Sequence, residues 1–411
     1  MIRSRFETLP AILLLASLLA AATFVASCHP GDDDDSADDA GDDVTDDTGG
    51  DDAGDDTGDD DAGDDTGGDD TGDDTGDDDT AIAGCIEGDF SPYWGVLHDH
   101  TSYSDGKLTP ADAFAYARET AGLDMLVVTD HVEQLYFPLP SDRWGLCHQQ
   151  ADAANDPGNF LADCGFEYGS GFILPFFQST GHNNVFFSPD RFPMIQLDYH
   201  DFYNSLVACE PCIGQFNHPG DEATQTWSDF EYDAAVDQKM NLFEFNGGGD
   251  VWTLFFEALD KGWHVSPVYD QDNHDADWGT HDDRRAGYFM SDLTRDALHD
   301  AMTARRSFMS MDKNAAIRVM GSQTCWMGSI LSGVTTLPFD VEAYDQDADD
   351  GFASITIYGP NMELLETVDC GDQTTCEASF DFEITGATYF VARAEQTDGD
   401  YLVAAPIWVA P

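Results

Sequence analysis

Trp94-Gly-Val-Leu-His-Asp-His100 and Asp124-Met-Leu-Val-Val-Thr-Asp-His131 share one pattern, a short apolar run that ends in acid and imidazole. Each run has the length and composition of a buried strand. Between them, Thr109-Pro110 supplies a helix cap and a first-turn proline, and Gly122 supplies a stop. The unit is strand, helix, strand. Further along, Ile213-Gly-Gln-Phe216 leads into Asn217-His218-Pro219, and Val265-Ser-Pro-Val-Tyr269 leads into Asp272-Asn273-His274. Leu242-Phe-Glu-Phe245 ends in Asn246-Gly247. From about residue 86 to residue 312 such runs alternate with helical patterns, the signature of α/β units. In α/β barrels the C-terminal strand ends gather at one mouth, so four histidine-bearing segments are expected to converge there.

The residue types suit metal ions. His98-x-His100 puts both imidazoles on one side of an extended segment, as two ligands of one ion require. Asp272-x-His274 supplies a hard and a borderline ligand together, and Asp130-His131 adds another imidazole. No one of these pairs is specific, because a single histidine is more often a satisfied core or surface residue. Their distribution says more. Apart from His29, every histidine lies between His98 and His299.

His98-Asp-His-Thr-Ser-Tyr-Ser-Asp-Gly106 followed by Thr129-Asp-His131 resembles the PHP (polymerase and histidinol phosphatase) metallohydrolases, and most closely their CehA/McbA-like branch. The resemblance covers roughly residues 91–312. Gly165-Phe-Glu-Tyr-Gly-Ser-Gly171, Gly181-His-Asn-Asn-Val185, Phe216-Asn-His-Pro219 and Ser291-Asp-Leu-Thr-Arg295 through Ala304-Arg-Arg-Ser-Phe308 support it. It implies an α/β fold, a distorted (β/α)7 barrel with two to three divalent ions. By that resemblance His98 and His100 would hold the first ion with Glu167 and Asp272. Glu167 would bridge to a second ion held by His182 and His218. Asp105, His131 and His274 would hold the third. Glu167, Asp272 and His274 are the expected catalytic residues. Glu167, Asp105 and His182 rest on the resemblance alone, whereas the other six already stand at predicted strand ends. The interval from Glu167 to His182 is longer than the family's and contains the apolar insert Phe172-Ile-Leu-Pro-Phe-Phe177, which leaves Gln178 as an alternative for the Glu167 position. Imidazole and carboxylate ligands favour Zn, Mn or Fe over Ca. Arg284 or Arg285 is a candidate for binding an anionic leaving group, with a surface pair after Asp282 and Asp283 as the alternative. His281 is a candidate general acid. His148, His200, His264 and His299 are expected to be structural or superficial.

The 411 residues allow two or three domains. Asp and Glu total 81 against 16 Lys and Arg, a formal net charge of -65 that excludes a nucleic-acid binder and an anionic membrane surface as direct partners. Residues 31–80 hold 26 Asp and no basic residue, in repeats of Asp-Asp-Thr-Gly and Asp-Asp-Ala-Gly. Such a segment buries no core and is expected to be a disordered, charge-extended tether. Its carboxylates suit calcium, but their spacing matches no defined loop. Arg3 and Arg5 precede an apolar run from Leu9 to Ala26, the pattern of a secretory signal. Val25-Ala-Ser-Cys28 resembles the lipobox of bacterial lipoproteins, which would make Cys28 a lipidated residue and place the chain on the outer membrane or cell surface.

Setting Cys28 aside, eight cysteines remain, an even count that suggests disulfides in an oxidising compartment. Cys147–Cys164 and Cys370–Cys376 are expected local pairs, and Cys209-Glu-Pro-Cys212 reads as a disulfide, a redox pair or half a zinc site. From about residue 313 helical patterning stops. Leu337–Tyr344, Ser354–Tyr358, Ser379–Ile384, Thr388–Ala394 and Ile407–Val409 predict strands of a small all-β sandwich. Thr397-Asp-Gly-Asp400 and Pro406-Ile-Trp-Val409 resemble the tail of the same branch. The expected organisation is therefore a signal at 1–27, the lipidated Cys28 and linker to 84, the metal-binding barrel at 85–312 and the β-sandwich at 313–411.

The expected activity is metal-dependent hydrolysis, with small phosphate esters as the favoured substrates. Carboxyl- or carbamate-ester cleavage is the alternative reaction on the same site. A non-catalytic metal-containing surface protein is the alternative class.

Overall fold

The computed structural model describes residues 82–139, 141–169, 181–193, 199–220, 227–246, 250–348 and 350–410. They lie in one compact unit, Asp77–Pro411. The expected signal segment, Cys28 and the acidic repeat lie outside the described residues, as do the insert at 172–177 and Gln178. Among the described residues no helix is long and apolar enough to cross a membrane.

Strands β1 (Ser91–Val96), β2 (Met125–Val128) and β3 (Leu161–Cys164) run parallel. Helix α1 (Pro110–Tyr116) links the first two and starts at a capping box. The Thr109 hydroxyl accepts from the Asp112 N–H, and the Asp112 carboxylate accepts from the Thr109 N–H. A π turn, Ala117–Ala121, extends it to Gly122, whose φ of 67° lies in the left-handed region that ends helices. Helices α2 (Val132–Tyr136) and α3 (Arg143–Ala154) precede β3. The two-residue period of β2 divides its side chains. Met125 and Val127 join Leu97, Leu161, Ile213, Leu242, Val268 and Tyr288 in the interior. Leu126 and Val128 pack on Ala113, Phe114 and Ala117 of the helical side. Burial on both faces explains why the run carries no polar alternation.

A second sheet holds β4 (Phe166–Gly169), β5 (His182–Phe186), β6 (Ile213–Asn217), β7 (Met240–Glu244) and β8 (Ser266–Val268) in that order. Here β5 is antiparallel to both neighbours, whereas β6, β7 and β8 are parallel. Helices α4 (Tyr199–Ala208) and α5 (Val251–Asp260) belong to an aromatic layer that includes Phe202, Tyr203, Phe216, Phe243, Phe255 and Trp263. Only Gly165 separates β3 from β4, and its N–H bonds the Val128 carbonyl at 2.8 Å. A Cβ there would lie 2.6 Å from the Val185 carbonyl oxygen, so the step from one sheet to the other requires glycine. Strand β9 (Arg285–Met290) is antiparallel to β1. After α6 (Arg295–Thr303), β10 (Ser307–Ser310) pairs antiparallel with β9. The Ser307 hydroxyl on β10 reaches the Ser266 hydroxyl on β8 at 2.7 Å, but the described residues contain no ladder between β8 and either β9 or β10. The architecture is mixed α/β, with β5 and β9 running against the parallel strands.

Beyond residue 312 come β11 (Ala316–Gly321), β12 (Cys325–Trp326), β13 (Ile330–Leu331), β14 (Thr336–Tyr344), β15 (Phe352–Gly359), β16 (Glu363–Gln373), β17 (Thr375–Glu383), β18 (Thr388–Gln396), β19 (Tyr401–Ala404) and β20 (Ile407–Val409). One layer is ordered β12-β11-β14-β17. The other runs β13-β20-β18-β19 and continues into β10, with Phe308 opposite Ala404. Phe339 and Val341 meet Ile355, Ile357, Phe390 and Ala392 between the layers. The region is two-layered, and its sheet is continuous with that of the α/β region.

Four disulfides are present: Cys147–Cys164, Cys209–Cys212, Cys370–Cys376 and Cys85–Cys325. The first three include both expected local pairs. The last spans 240 residues and ties the start of the described chain to β12. Residues 82–84, assigned above to the linker, are already engaged there, since Ala83 bridges Ser332. Such bonds belong to an oxidising compartment.

Candidate metal centre

The C-terminal ends of β1, β2, β6 and β8 deliver His98 and His100, His131, His218, and Asp272 and His274. Glu167 comes from β4, His182 opens β5, and Asp105 lies in the loop after His100. These nine residues form three groups whose ligand atoms lie within 4.8 Å of one another: His98, His100, Glu167 and Asp272; Glu167, His182 and His218; and His100, Asp105, His131 and His274. His100 belongs to two groups, whereas the resemblance gave it to the first alone.

Glu167 is the hub, 1% exposed. Its Oε1 lies 3.1 Å from His182 Nδ1, 3.1 Å from His218 Nε2 and 3.4 Å from His98 Nε2. Its Oε2 lies 2.9 Å from His131 Nδ1 and 3.4 Å from His100 Nε2. Asp272 Oδ1 lies 2.9 Å from His100 Nε2 and 3.4 Å from His98 Nε2. Asp105 closes the exposed side, 3.2 Å from His274 Nε2 and 3.7 Å from His131 Nε2. His218 and Asp272 adopt φ of 30° and 48°, left-handed backbone that is uncommon for non-glycine residues.

The arrangement fits divalent ions on an observation of its own. His100 Nε2, Glu167 Oε2 and Asp272 Oδ1 are buried, face one another and make no hydrogen bond. Buried polar atoms are ordinarily paired. An imidazole nitrogen between carboxylate oxygens, with its other nitrogen already engaged, is the donor set of a transition ion. Neighbours fix the ring orientations. His98 Nδ1 donates to Glu244, 3.1 Å from Oε1 and 3.2 Å from Oε2. His100 Nδ1 meets the Ser104 hydroxyl at 3.2 Å, and that hydroxyl donates to Asp130. His274 Nδ1 donates to the Asp272 carbonyl at 2.9 Å. Each leaves Nε2 to face the centre, as outer partners of metal-bound histidines do.

The charges are tightly balanced. Burial opposes ionisation of Glu167, but His131, His182 and His98 hold it well below the usual carboxylate range. Burial likewise opposes Asp272, and His98 and His100 hold it low. Burial works against protonated His98, yet Glu244, Asp272 and Glu167 raise it well above its ordinary value. His131 and His218 follow the same contest, with burial outweighed chiefly by Glu167, and both rise to about 9. His100 is the exception, lowered by burial despite Asp272.

Glu244, Asn217 and Asp130 were not singled out from sequence. Glu244 is fully buried at the end of β7 and also accepts the His218 N–H at 2.7 Å. Asn217 donates to Glu167 Oε1 at 3.1 Å. Asp130 accepts from the N–H and hydroxyl of both Thr101 and Ser104, which shapes the loop after His100. The charged residue inside Leu242-Phe-Glu-Phe245 was the available signal for Glu244.

The auxiliary candidates lie elsewhere. Arg285 is buried and donates to the carbonyls of Gly279, Asp282 and Arg284, which makes it a framework residue. Arg284 pairs with Asp282 at 3.3 Å and covers the Tyr269 ring. His281 is half exposed, 3.8 Å from Asp277. His264 binds Asp237 at 2.8 Å, His299 reaches the Pro211 carbonyl at 3.0 Å, His148 lies 3.8 Å from Asp163 and His200 packs on Tyr199.

No protein-family model and no curated protein matches the chain. Among solved structures it is similar to a two-domain protein containing a predicted PHP-like metal-dependent phosphoesterase from Bacteroides vulgatus, at 16% identity over 80% of this chain and 98% of that one, with a TM-score of 0.44. It is similar to a lesion-specific endonuclease from Pyrococcus furiosus at 14% identity over 52% of this chain and 56% of that one, with a TM-score of 0.36. A GH30 endoxylanase from Clostridium papyrosolvens matches at 7% identity over 78% and 99%, with a TM-score of 0.26.

Proposed function

We propose that the chain is a metal-dependent hydrolase of PHP type, a phosphoesterase acting on small phosphate esters, built on a distorted (β/α)7 barrel with residues 313–411 as an appended β-sandwich. The carrying observation is the set of three ligand groups joined through Glu167 and His100. A single structural ion has no use for linked groups of this kind, whereas hydrolysis of a phosphate ester uses neighbouring ions. When bound, Zn, Mn or Fe ions would supply a water of lowered pKa and a clamp for the oxygens of the ester.

The chain's own residues do the rest. His98, His100, Glu167 and Asp272 would hold one ion, Glu167 with His182 and His218 a second, and Asp105, His131 and His274 with His100 a third. Glu244 and Ser104 keep Nε2 of His98 and His100 aimed at the centre. Asp105 and His274 are the more exposed members, at 48% and 39%, and form the face that meets substrate. Export as a lipoprotein anchored through Cys28 is part of the same proposal, supported by the N-terminal sequence and by the disulfides.

Elemental mass spectrometry on the purified chain, paired with turnover of a generic phosphomonoester, tests it. Two or three transition ions per chain and chelator-sensitive turnover, both reduced in His98→Ala without unfolding, are expected. A folded chain that binds no such ion after soaking in Zn, Mn and Fe would refute the proposal. Ions bound with carboxyl-ester turnover alone would move the substrate class.

A further inference from the structure

Beside Glu167 lies a row of buried amides outside the three ligand groups. The antiparallel register sets Glu167 of β4 opposite Asn184 of β5, and Asn184 opposite Gln215 of β6. Asn217 stands two residues beyond Gln215, so the two-residue period of a strand returns it to the same face. Asn184, Gln215 and Asn217 are all fully buried. One end of the Asn217 amide faces the Asn184 N–H at 3.0 Å. A backbone N–H only donates, so that end is Oδ1. Oδ1 also accepts from Gln215 Nε2 at 3.2 Å. The other end is then the N–H2, which donates to Glu167 Oε1 at 3.1 Å and to Asn184 Oδ1 at 3.0 Å. His98 Nε2 is a more distant neighbour of it, at 3.5 Å.

The histidines around Glu167 cannot fix its orientation once ions are bound. His182 and His218 meet Oε1 in the metal-free chain, but both belong to a ligand group. A nitrogen whose lone pair is turned to an ion has no proton to give a carboxylate. Asn217 is different. Among the described residues it is the one side chain outside the ligand groups that hydrogen-bonds the Glu167 carboxylate. It bonds Oε1 alone, while Oε2 accepts no hydrogen bond. The amide is itself held by the Asn184 N–H, Gln215 Nε2 and Asn184 Oδ1. A carboxylate bonded at one oxygen to so fixed a donor resists rotation about its last torsion. Oε1 therefore stays with His182 and His218, and Oε2 with His100 and His131.

We infer that Asn217 is a positioning residue of the metal centre, which holds Glu167 so that one carboxylate serves two ions at once. The inference rests on the hydrolase proposed above and adds to it a residue that acts through Glu167. Outer partners of this kind set metal affinity without being ligands.

The test loads the full chain with Mn2+ and removes loosely held ion, including any on the acidic repeat, by desalting. Two Mn2+ ions that share a carboxylate couple magnetically, and electron paramagnetic resonance tells a coupled pair from isolated ions. Wild type should give the coupled signal. Asn217→Ala should lose it while still holding manganese, with one ion bound about 10–100-fold more weakly. Asn183→Ala is the packing control. Asn183 lies on the other face of β5, where it binds Trp227 Nε1 and the Gln215 carbonyl. Its removal opens a hole of the same size and should lower the melting temperature but keep the coupled signal. If Asn217→Ala does not fold, Asn217→Ser keeps a polar group in the row, is one bond too short to reach Glu167, and carries the same expectation. A coupled signal with wild-type affinity in either folded Asn217 variant would overturn the positioning role. Equal loss of coupling in Asn183→Ala would reduce the effect to packing and overturn it as well. Isolated ions alone in the wild type would overturn the shared carboxylate. A wild type that takes up no Mn2+ would remove the proposed hydrolase itself, and this inference with it.

Discussion

Glu244→Gln probes the histidine centre through a residue outside the three ligand groups. The Glu244 carboxylate does two things at once. It takes the His98 Nδ1 proton at 3.1–3.2 Å and the His218 N–H at 2.7 Å. Glutamine fits the volume but offers only one acceptor oxygen. Its amide N–H2 must then face either His98 Nδ1–H or His218 N–H, donor against donor. The way out for His98 is to exchange tautomers, which protonates Nε2, the atom aimed at Glu167 and Asp272. Loss of such an outer partner typically costs 10–100-fold in metal affinity, or about 1.4–2.7 kcal/mol. The weakened ion should be the one facing His98, His100, Glu167 and Asp272. The group of Asp105, His131 and His274 has no contact with Glu244 and should keep its affinity. Titration of the chelator-stripped variant with Zn2+ or Mn2+, followed calorimetrically with circular dichroism as the folding control, reads both sites. A folded variant with wild-type affinity at every site would refute the tautomer argument and with it the ligand role of His98.

Other outcomes follow from the same geometry. Glu167→Gln replaces one of the two oxygens shared by two groups with an N–H2 and removes the charge, and should lower bound metal by at least one ion per chain, with turnover falling at least 100-fold, measured by elemental analysis and a phosphoester assay. Asp130→Ala strands the buried N–H of Thr101 and the half-buried N–H of Ser104, and should destabilise the chain by about 2–4 kcal/mol in urea melts. For the metal-free chain the pH dependence has a definite sign. His131 and His218 are raised from 6.5 to about 9, so their stabilisation is complete below pH 6.5 and is lost as pH rises through 9. The depressed Glu167 acts oppositely, stabilising above its ordinary value of 4.5 and losing that as pH falls. Melting temperature should therefore drop between pH 6.5 and 9 with chelator present, and rise over the same range with metal, because ions displace protons from histidine. Replacing Cys85 and Cys325 with serine should cost about 2–5 kcal/mol, seen as a lower urea midpoint.

The strand-end histidines were legible because a strand buried on both faces leaves an uninterrupted apolar run, and the first polar residues after it mark its end. That logic located the segments of His98, His131, His218 and His274. It fails for Glu244, which lies within the apolar run and whose charge is tolerated only because two distant donors meet it. It fails for β16 too, where Glu363–Gln373 is largely exposed and shows no alternation to read. Strand β9 is masked by Arg285, which the sequence offers as a leaving-group ligand or one of a surface pair, although its guanidinium is buried on three carbonyls. The change of pattern near residue 313 is real, from helices to strands. Sequence carries no sign that β10 and β19 pair across it, because register between distant strands depends on tertiary packing.

That pairing sets the order in which the molecule can be assembled. Strand β19 sits between β18 and β10, so the ladder beside β10 is completed by residues 402–404, almost a hundred positions downstream. Contacts so far apart form late, since loop closure must precede them. Until then β10 presents Ser-Phe-Met-Ser as an open edge, a template for pairing with another chain. A fragment lacking β19 would carry every strand that delivers the histidine centre and still need a chaperone to stay monomeric. Truncations that stop short of residue 404 should therefore aggregate, even though every residue of the histidine centre is present.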